Sequence, residues 1–252
     1  MPGHNQKLWE RSKPEIQTDF LVRERIPSWL GDVSNLEVLD AGSGEGYVAR
    51  KLRSLGAKVN GFDKDPKMVE LAKKAEEKEA KNPASYKVGV LSQIHRLYPG
   101  KRFDAVILSG VACFLDESEL QDALSKAHRV LNENGRILIA TNHTDSLFKK
   151  AKSPWMHYLG EPNTRLPTQK VMISFNHPSG EKLFEGTVYF HTPERIEEAM
   201  RKAGFVVTAR HEPLATKEDM RHHPQMWGDE DKIPYHLVVI GTKALKTAKN
   251  RR

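Results

Sequence analysis

The sequence predicts an α/β protein built on a doubly wound, mostly parallel sheet, and three observations predict it. Short apolar runs alternate with amphipathic stretches along most of the 252 residues. One run, Leu36–Asp40, passes directly into three glycines at alternate positions, Gly42, Gly44 and Gly46. A second, Val59–Asp63, closes on an acid about 20 residues further on, the spacing at which a second-strand carboxylate meets ribose hydroxyls.

The glycine stretch reads as strand, tight loop and helix start. Val38 and Leu39 favour a strand. The glycines permit positive φ and close approach of a ligand to the main chain. Val48, Leu52 and Leu55 follow at helical spacing, with Gly56 placed to end the helix. A helix N-terminus facing a glycine-lined loop suits an anionic or carboxylate-bearing ligand. With Asp63, the loop indicates a nucleoside-containing cofactor. Dinucleotide folds keep a glycine five positions after the first for close helix–strand packing; here that position is the bulky Tyr47.

Before this stretch, Ile16–Arg25 reads as a short amphipathic helix stopping ahead of Pro27. After it, Asp65-Pro66 is an N-cap followed by proline at the first helical position, opening a helix to about Lys81. Ser85–Val90 is the third strand. Phe103–Ser109 is the fourth, its unbroken apolar centre typical of a strand buried on both faces. Leu120, Leu124, Ala127 and Leu131 align a helix stopped by Asn134-Gly135, and Arg136–Thr141 is the fifth strand. The alternation then breaks into an insertion, 142–190, with polar loops, the aromatic residues Trp155 and Tyr158, and a hairpin of Val171–Phe175 and Leu183–Val188 about Pro178-Ser179-Gly180. Thr192 caps a helix over Pro193–Ala203; the strand Phe205–Ala209, a loop from His211 to Lys232 and a last strand, Tyr235–Gly241, complete the chain.

Composition narrows the classes. At this length one domain is expected, 1–252, comprising an N-terminal lid segment 1–35, the insertion 142–190 and a basic tail 242–252. No apolar run approaches the ~18 residues a membrane helix needs, and the polar opening Met1–Lys13 is not read as a signal peptide, so a cytoplasmic protein with no membrane partner is expected. The single Cys113 excludes an internal disulfide and a Cys-rich zinc site, and His222-His223 in a charged loop reads as solvated surface, so no metal is expected. Subtracting the five cations of the tail from the net charge of +7 leaves +2, which makes nucleic acid an unfavoured partner.

The motif Asp40-x-Gly42-x-Gly44-x-Gly46 resembles the first motif of the class I S-adenosylmethionine (SAM)-dependent methyltransferases. Phe103-Asp104-Ala105-Val106, Val130–Ile139 and His191-Thr192-Pro193 through Ala203-Gly204-Phe205 resemble later stations of that family, so the likeness spans about Leu36–Gly241. It implies a seven-stranded sheet with the seventh strand antiparallel beside the fifth, an inserted cap after strand five, and SAM as cofactor. Carried over by position, Asp40, Gly42, Ser43, Gly44 and Gly46 surround the methionine part, Asp63 holds the ribose, and Lys64 and Met68 lie near the adenine. Leading segments in the family often close over the cofactor, a role open to Trp9. Where many members carry an acid at the end of the third strand, this chain has Val90, leaving adenine to main-chain groups around Leu91 or to Ser92.

Methyl transfer from a sulfonium needs alignment of the acceptor and a group to take its proton. Residues just beyond strands four and five and in the insertion can reach an acceptor: Ser109, which is also expected against the cofactor, His143, Asp145, Trp155, Tyr158 and His191. His143 and His191 are the candidate bases. His191, directly before a capping Thr, has a purely local hydrogen-bonding role as its alternative, and Trp155 and Tyr158 serve equally as a core for the insertion. Ser109-Gly110-Val111 stands where adenine-N-methylating enzymes carry Pro-Pro-aromatic. The expected reaction is methyl transfer to an O or N atom of a small molecule. A protein or RNA acceptor, or binding without catalysis, are the alternatives.

Overall fold

The computed structural model describes residues 14–79, 83–163, 166–177 and 180–244. Trp9, the residues of the expected hairpin turn at 178–179 and most of the basic tail lie outside them. Among the described residues seven strands form one sheet: β1 (Glu37–Ala41), β2 (Lys58–Asp63), β3 (Ser85–Val88), β4 (Phe103–Ser109), β5 (Leu131–Asn142), β9 (Phe205–His211) and β10 (His236–Lys243), in the order β3-β2-β1-β4-β5-β10-β9. Strands β1 to β5 pair in parallel, and β10 runs antiparallel between β5 and β9. The inserted β6 (Met156–Tyr158), β7 (Thr168–Asn176) and β8 (Lys182–His191) form a separate antiparallel sheet.

Helices cover both faces of the large sheet. Short α1 (Ile26–Leu30) and α2 (Tyr47–Ser54) pack on one face, around Leu30, Val38, Leu52 and Ile107. On the other, α5 (Glu117–Val130) and α7 (Pro193–Lys202) pack around Leu39, Val106, Leu124 and Ile139. Strand β4 contributes alternate residues to both cores, which is why its sequence carries no polar interruption from Ala105 to Leu108. Between these elements lie α3 (Pro66–Glu79), α4 (Ile94–Leu97) and α6 (Thr144–Phe148), and a last short helix, α8 (Lys217–His222), follows β9. None of the helices among the described residues is long and apolar enough to cross a membrane.

The expected elements shift in four places. Residues Asp19–Arg23 form a π-helical turn that stops ahead of Pro27 as expected, and Pro27 lies in the first turn of a second short helix, α1, where a missing N–H costs nothing. Helix α5 ends at Val130, where buried Leu131 turns extended to pair with Phe103. Asn134 (φ +62) and Gly135 then lie within the span of β5, at the register shift against β4. The insertion holds three strands, the third supplied by Met156–Tyr158. The expected loop after β9 contains α8, held by a capping box between Thr216 and Asp219.

Candidate functional site

The glycine loop is tied to the end of β2: the N–H groups of Gly42 and Ser43 both donate to the Phe62 carbonyl, at 2.8 and 2.9 Å. The three glycines are required for different reasons. A Cβ on Gly42 would collide with Val111 Cγ2, and one on Gly46 would lie 2.5 Å from the Tyr86 hydroxyl. Gly44 (φ +52) has nothing within 4 Å of where its Cβ would stand, so its backbone opens onto free space. The loop then delivers α2, whose Tyr47 hydroxyl donates to Glu24 Oε1 at 2.8 Å and so fastens the N-terminal segment.

Asp63 closes the loop from the opposite strand. Its Oδ2 accepts the Gly44 N–H and its Oδ1 the Asp65 N–H, both at 2.9 Å. Each carboxylate oxygen keeps a further lone-pair direction for a hydroxyl donor. Asp65 Oδ1 in turn accepts the Lys67 N–H at 2.9 Å, the expected cap of α3.

A cavity of about 510 Å³ runs over the C-terminal ends of the parallel strands. One end is bounded by Gly42, Gly44, Asp63, Lys64, Met68, Leu91 and Ser92. Its middle meets Ser109, Thr141, Asn142 and His236, and its other end meets Met156, Ile173, Phe175, Phe184 and Val188, most of them from the inserted sheet. The N-terminal segment roofs it with Gln17, Thr18 and Arg23. Asp40, Ser43 and Gly46, expected at the cofactor, stand behind this lining. Asp40 is 2% exposed, and burial pushes its carboxyl up to about 7; nearby Glu45 and Asp63 add to the rise and the Arg23 guanidinium opposes it. Arg23 pairs with Asp19 at 3.1 Å and with Glu45 at 3.4 Å.

Neither histidine expected as a base lines the cavity. His191 is fully buried: its Nε2 donates to the Leu115 carbonyl at 2.9 Å and its Nδ1 faces the Thr168 hydroxyl at 3.0 Å, so its ring joins β7 to the loop after β4. His143 caps α6, its Nδ1 accepting the Asp145 N–H at 2.9 Å, while its Nε2 faces Glu212 at 3.5 Å. Burial lowers both imidazoles from their ordinary value. The imidazole that does line the cavity is His236, at the start of β10 opposite Asn142, with Nε2 3.5 Å from the Thr18 hydroxyl. Burial first, then Arg23 and His143, pushes it down to about 4, so it is neutral near pH 7. Trp155 is outside the lining: its indole donates to the Met226 carbonyl at 3.0 Å and it packs on Phe175. Asp145 and Tyr158 are also outside, the Asp145 carboxylate pairing with Lys149 at 2.6 Å and Tyr158 packing edge-on against Phe190. Cys113 does line the cavity, with its thiol pushed up to about 12 by burial, which leaves it unreactive.

Two buried hydroxyls, Ser109 Oγ and Thr141 Oγ1, have no hydrogen-bond partner among the described residues, although both residues line the cavity. The free space at Gly44 and the lone pairs on Asp63 fit a ligand that carries ribose and amino-acid groups. Comparison with known proteins agrees. Residues 39–139 match a family model described as a methyltransferase domain. The demethylmenaquinone methyltransferase of Tropheryma whipplei is 26% identical over 71% of this chain and 70% of its own. The ubiquinone/menaquinone biosynthesis C-methyltransferase of Cereibacter sphaeroides is 24% identical over 77% of this chain and 78% of its own. Among solved structures, the CcbJ methyltransferase of Streptomyces caelestis superposes with a TM-score of 0.70 at 15% identity, covering 96% of this chain and 97% of that one. Residues 39–139 are thus similar to a methyltransferase domain, and the fold is the one that SAM-dependent methyltransferases of known structure share.

Proposed function

We propose that this chain transfers the methyl group of SAM to an oxygen or nitrogen atom of a small, largely apolar molecule. The observation that carries the reading is the continuity of the cavity. The end bounded by Gly44 and Asp63 opens, past Ser109 and Thr141, into a chamber walled by Met156, Ile173, Phe175, Phe184 and Val188. Apolar walls of this kind take up a ring or chain and leave few ways to orient it. The relatives named for quinone biosynthesis support a small-molecule acceptor. The reading treats the chain as one methyltransferase domain in the cytoplasm, with 1–35 as its lid and 142–190 as its acceptor-side insertion.

In this reading Asp63 holds the ribose and the Gly44 main chain lies against the methionine part, with Lys64, Met68, Leu91 and Ser92 around the adenine. Bound there, SAM supplies an electrophilic methyl on a sulfonium. The chemistry it would supply there is donation of that methyl to an acceptor lone pair, with the C–S bonding electrons left on sulfur. The proton that the acceptor loses passes to the His236 imidazole, the one histidine among the described residues that lines the cavity. The chamber and the segment over it hold the acceptor in line and exclude water.

Mass spectrometry of small molecules that copurify with the protein, followed by an acceptor screen with methyl-labelled SAM, tests the proposal. Label on an oxygen or nitrogen of an apolar small molecule is the expected result. Label confined to carbon would overturn the choice of atom, and label only on protein or RNA would overturn the acceptor class.

A further inference from the structure

We propose that Arg23, carried by the N-terminal segment that roofs the cavity, takes the α-carboxylate of the cofactor's amino-acid head. The proposal rests on the cofactor placement given above, with Gly44 against the methionine part, and adds to it a residue from a different part of the chain.

Arg23 and Glu45 stand together on the cavity lining, Glu45 directly after Gly44. Arg23 Nη1 meets Glu45 Oε1 at 3.4 Å and Asp19 Oδ1 at 3.1 Å. The Asp40 carboxyl on β1 and the His236 ring at the start of β10 both lie within the field of the guanidinium. It therefore sits where the glycine loop, β1 and β10 come together. Of Arg23, Glu45 and Asp19, the arginine is the one a ligand reaches: its side chain keeps 17% of its surface exposed, against 4% for Glu45 and 0% for Asp19. Among the described residues the lining holds one other lysine or arginine, Lys64, which follows Asp63 and has its Nζ 5.9 Å from the centre of the Phe114 ring.

The charge balance at this end of the cavity calls for such a group. The lining carries the acids Glu45 and Asp63. A ligand carboxylate brought among them without a cation would be strongly disfavoured, because a buried charge is tolerated only when it is paired. A guanidinium presents five N–H donors in a fixed fork, so one arginine serves several carboxylates at once. The amino-acid head is a zwitterion, and Arg23 with Glu45 offers one charge of each sign: the guanidinium for the carboxylate, the glutamate for the ammonium. Arg23 meets Glu45 from 22 positions upstream, through the fold and not through the motif.

Calorimetric titration with S-adenosylhomocysteine and with its decarboxylated analogue, which keeps the ammonium group, tests the assignment. The wild type is expected to bind S-adenosylhomocysteine about tenfold to a hundredfold more tightly than the analogue, the value of a charged hydrogen bond. Arg23→Gln is expected to lose that preference through weaker binding of S-adenosylhomocysteine alone. Arg23→Lys, which keeps the charge and loses the fork, is expected to keep part of it, and carries the comparison should Arg23→Gln not fold. Equal affinities in the wild type, or affinities for both ligands falling in parallel in the variants, would reduce Arg23 to a fastening of the roof and overturn the assignment. A preference undiminished in every variant that folds would overturn it as well. Binding of neither ligand to the wild type would overturn the cofactor placement on which the assignment rests.

Discussion

The Asp63 carboxylate accepts the Gly44 N–H at 2.9 Å, so the acid at the end of β2 fixes a glycine of the loop that lines the cavity and whose Cβ position meets only open space. The residue assigned to the ribose and the loop assigned to the methionine part are therefore one hydrogen-bonded unit. A substitution at Asp63 acts on both.

For that reason Asp63→Ala is expected to weaken SAM binding by roughly tenfold to a few hundredfold, the value of a charged hydrogen bond of about 1.5 to 3 kcal/mol. It should also lower the melting temperature, because the Gly44 and Asp65 N–H groups both lose their acceptor. Asp65→Ala removes a helix cap and should cost about 1 kcal/mol of stability with little change in affinity. Calorimetric titration and thermal melting of the two variants separate these effects. Affinity lost at Asp65 and kept at Asp63 would exchange the two roles.

The stability profile with pH should contain two opposed slopes. Asp40 is an acid raised from its ordinary 3.8 to about 7. Between those values the folded state keeps a proton that the unfolded chain has released, so this contribution lowers stability as pH rises. His236 is a base lowered from 6.5 to about 4. Over that window the unfolded chain takes up a proton that the folded state refuses, so this contribution lowers stability as pH falls. At about 1.4 kcal/mol per pKa unit the first is on the order of 4 kcal/mol and the second on the order of 3 kcal/mol. Denaturant unfolding between pH 4 and 7 is expected to show stability rising more steeply with pH in Asp40→Asn, and falling with pH in His236→Asn, than in the wild type. Parallel profiles in all three proteins would remove both assignments.

His191 and His236 should respond oppositely to substitution. His191→Ala leaves the Leu115 carbonyl without the imidazole donor, while the Thr168 hydroxyl still donates to Glu117, and should cost roughly 2 kcal/mol of stability. The per-molecule rate of SAM turnover on a productive acceptor should change little. His236→Gln should retain SAM affinity and lose turnover by about 10²-fold or more, the usual contribution of a positioned proton acceptor. Turnover lost at His191 with His236 silent would return the catalytic role to the residue favoured by sequence.

The fold was legible because its signals are local. Asp40 to Gly46, the cap at Asp65-Pro66, the apolar centre of β4 and the cap at Thr192 each declare themselves within a few residues. The meeting of Gly44 and Asp63 is local in the same sense, set by loop and strand spacing. The acceptor side depends on contacts distant in sequence. His236 reaches the cavity only because β10 inserts antiparallel beside β5, which sets it opposite Asn142, and no spacing along the chain records that pairing. Its neighbour there, Thr141, sat inside an expected strand with nothing to mark its hydroxyl as unpaired. His143 and His191 follow strand ends in the sequence, and their rings make a helix cap and an interior link through partners that the sequence does not mark. One miss was local: the capping box Thr216-Lys217-Glu218-Asp219 was readable as the start of α8.

The most direct measurement is calorimetric titration of the wild type and of Gly44→Val with SAM, with NADH titrated in parallel. The positive φ at Gly44 makes valine locally strained, by about 1 to 2 kcal/mol, while its side chain enters open cavity, so circular dichroism should still report a folded protein. The expected result is SAM binding at a single site in the wild type, its loss in Gly44→Val, and no NADH binding to either, Tyr47 occupying the position that a dinucleotide fold keeps as glycine. Undiminished SAM affinity in a folded Gly44→Val, or NADH binding in place of SAM, would contradict the placement of the cofactor on the Gly44–Asp63 side of the cavity.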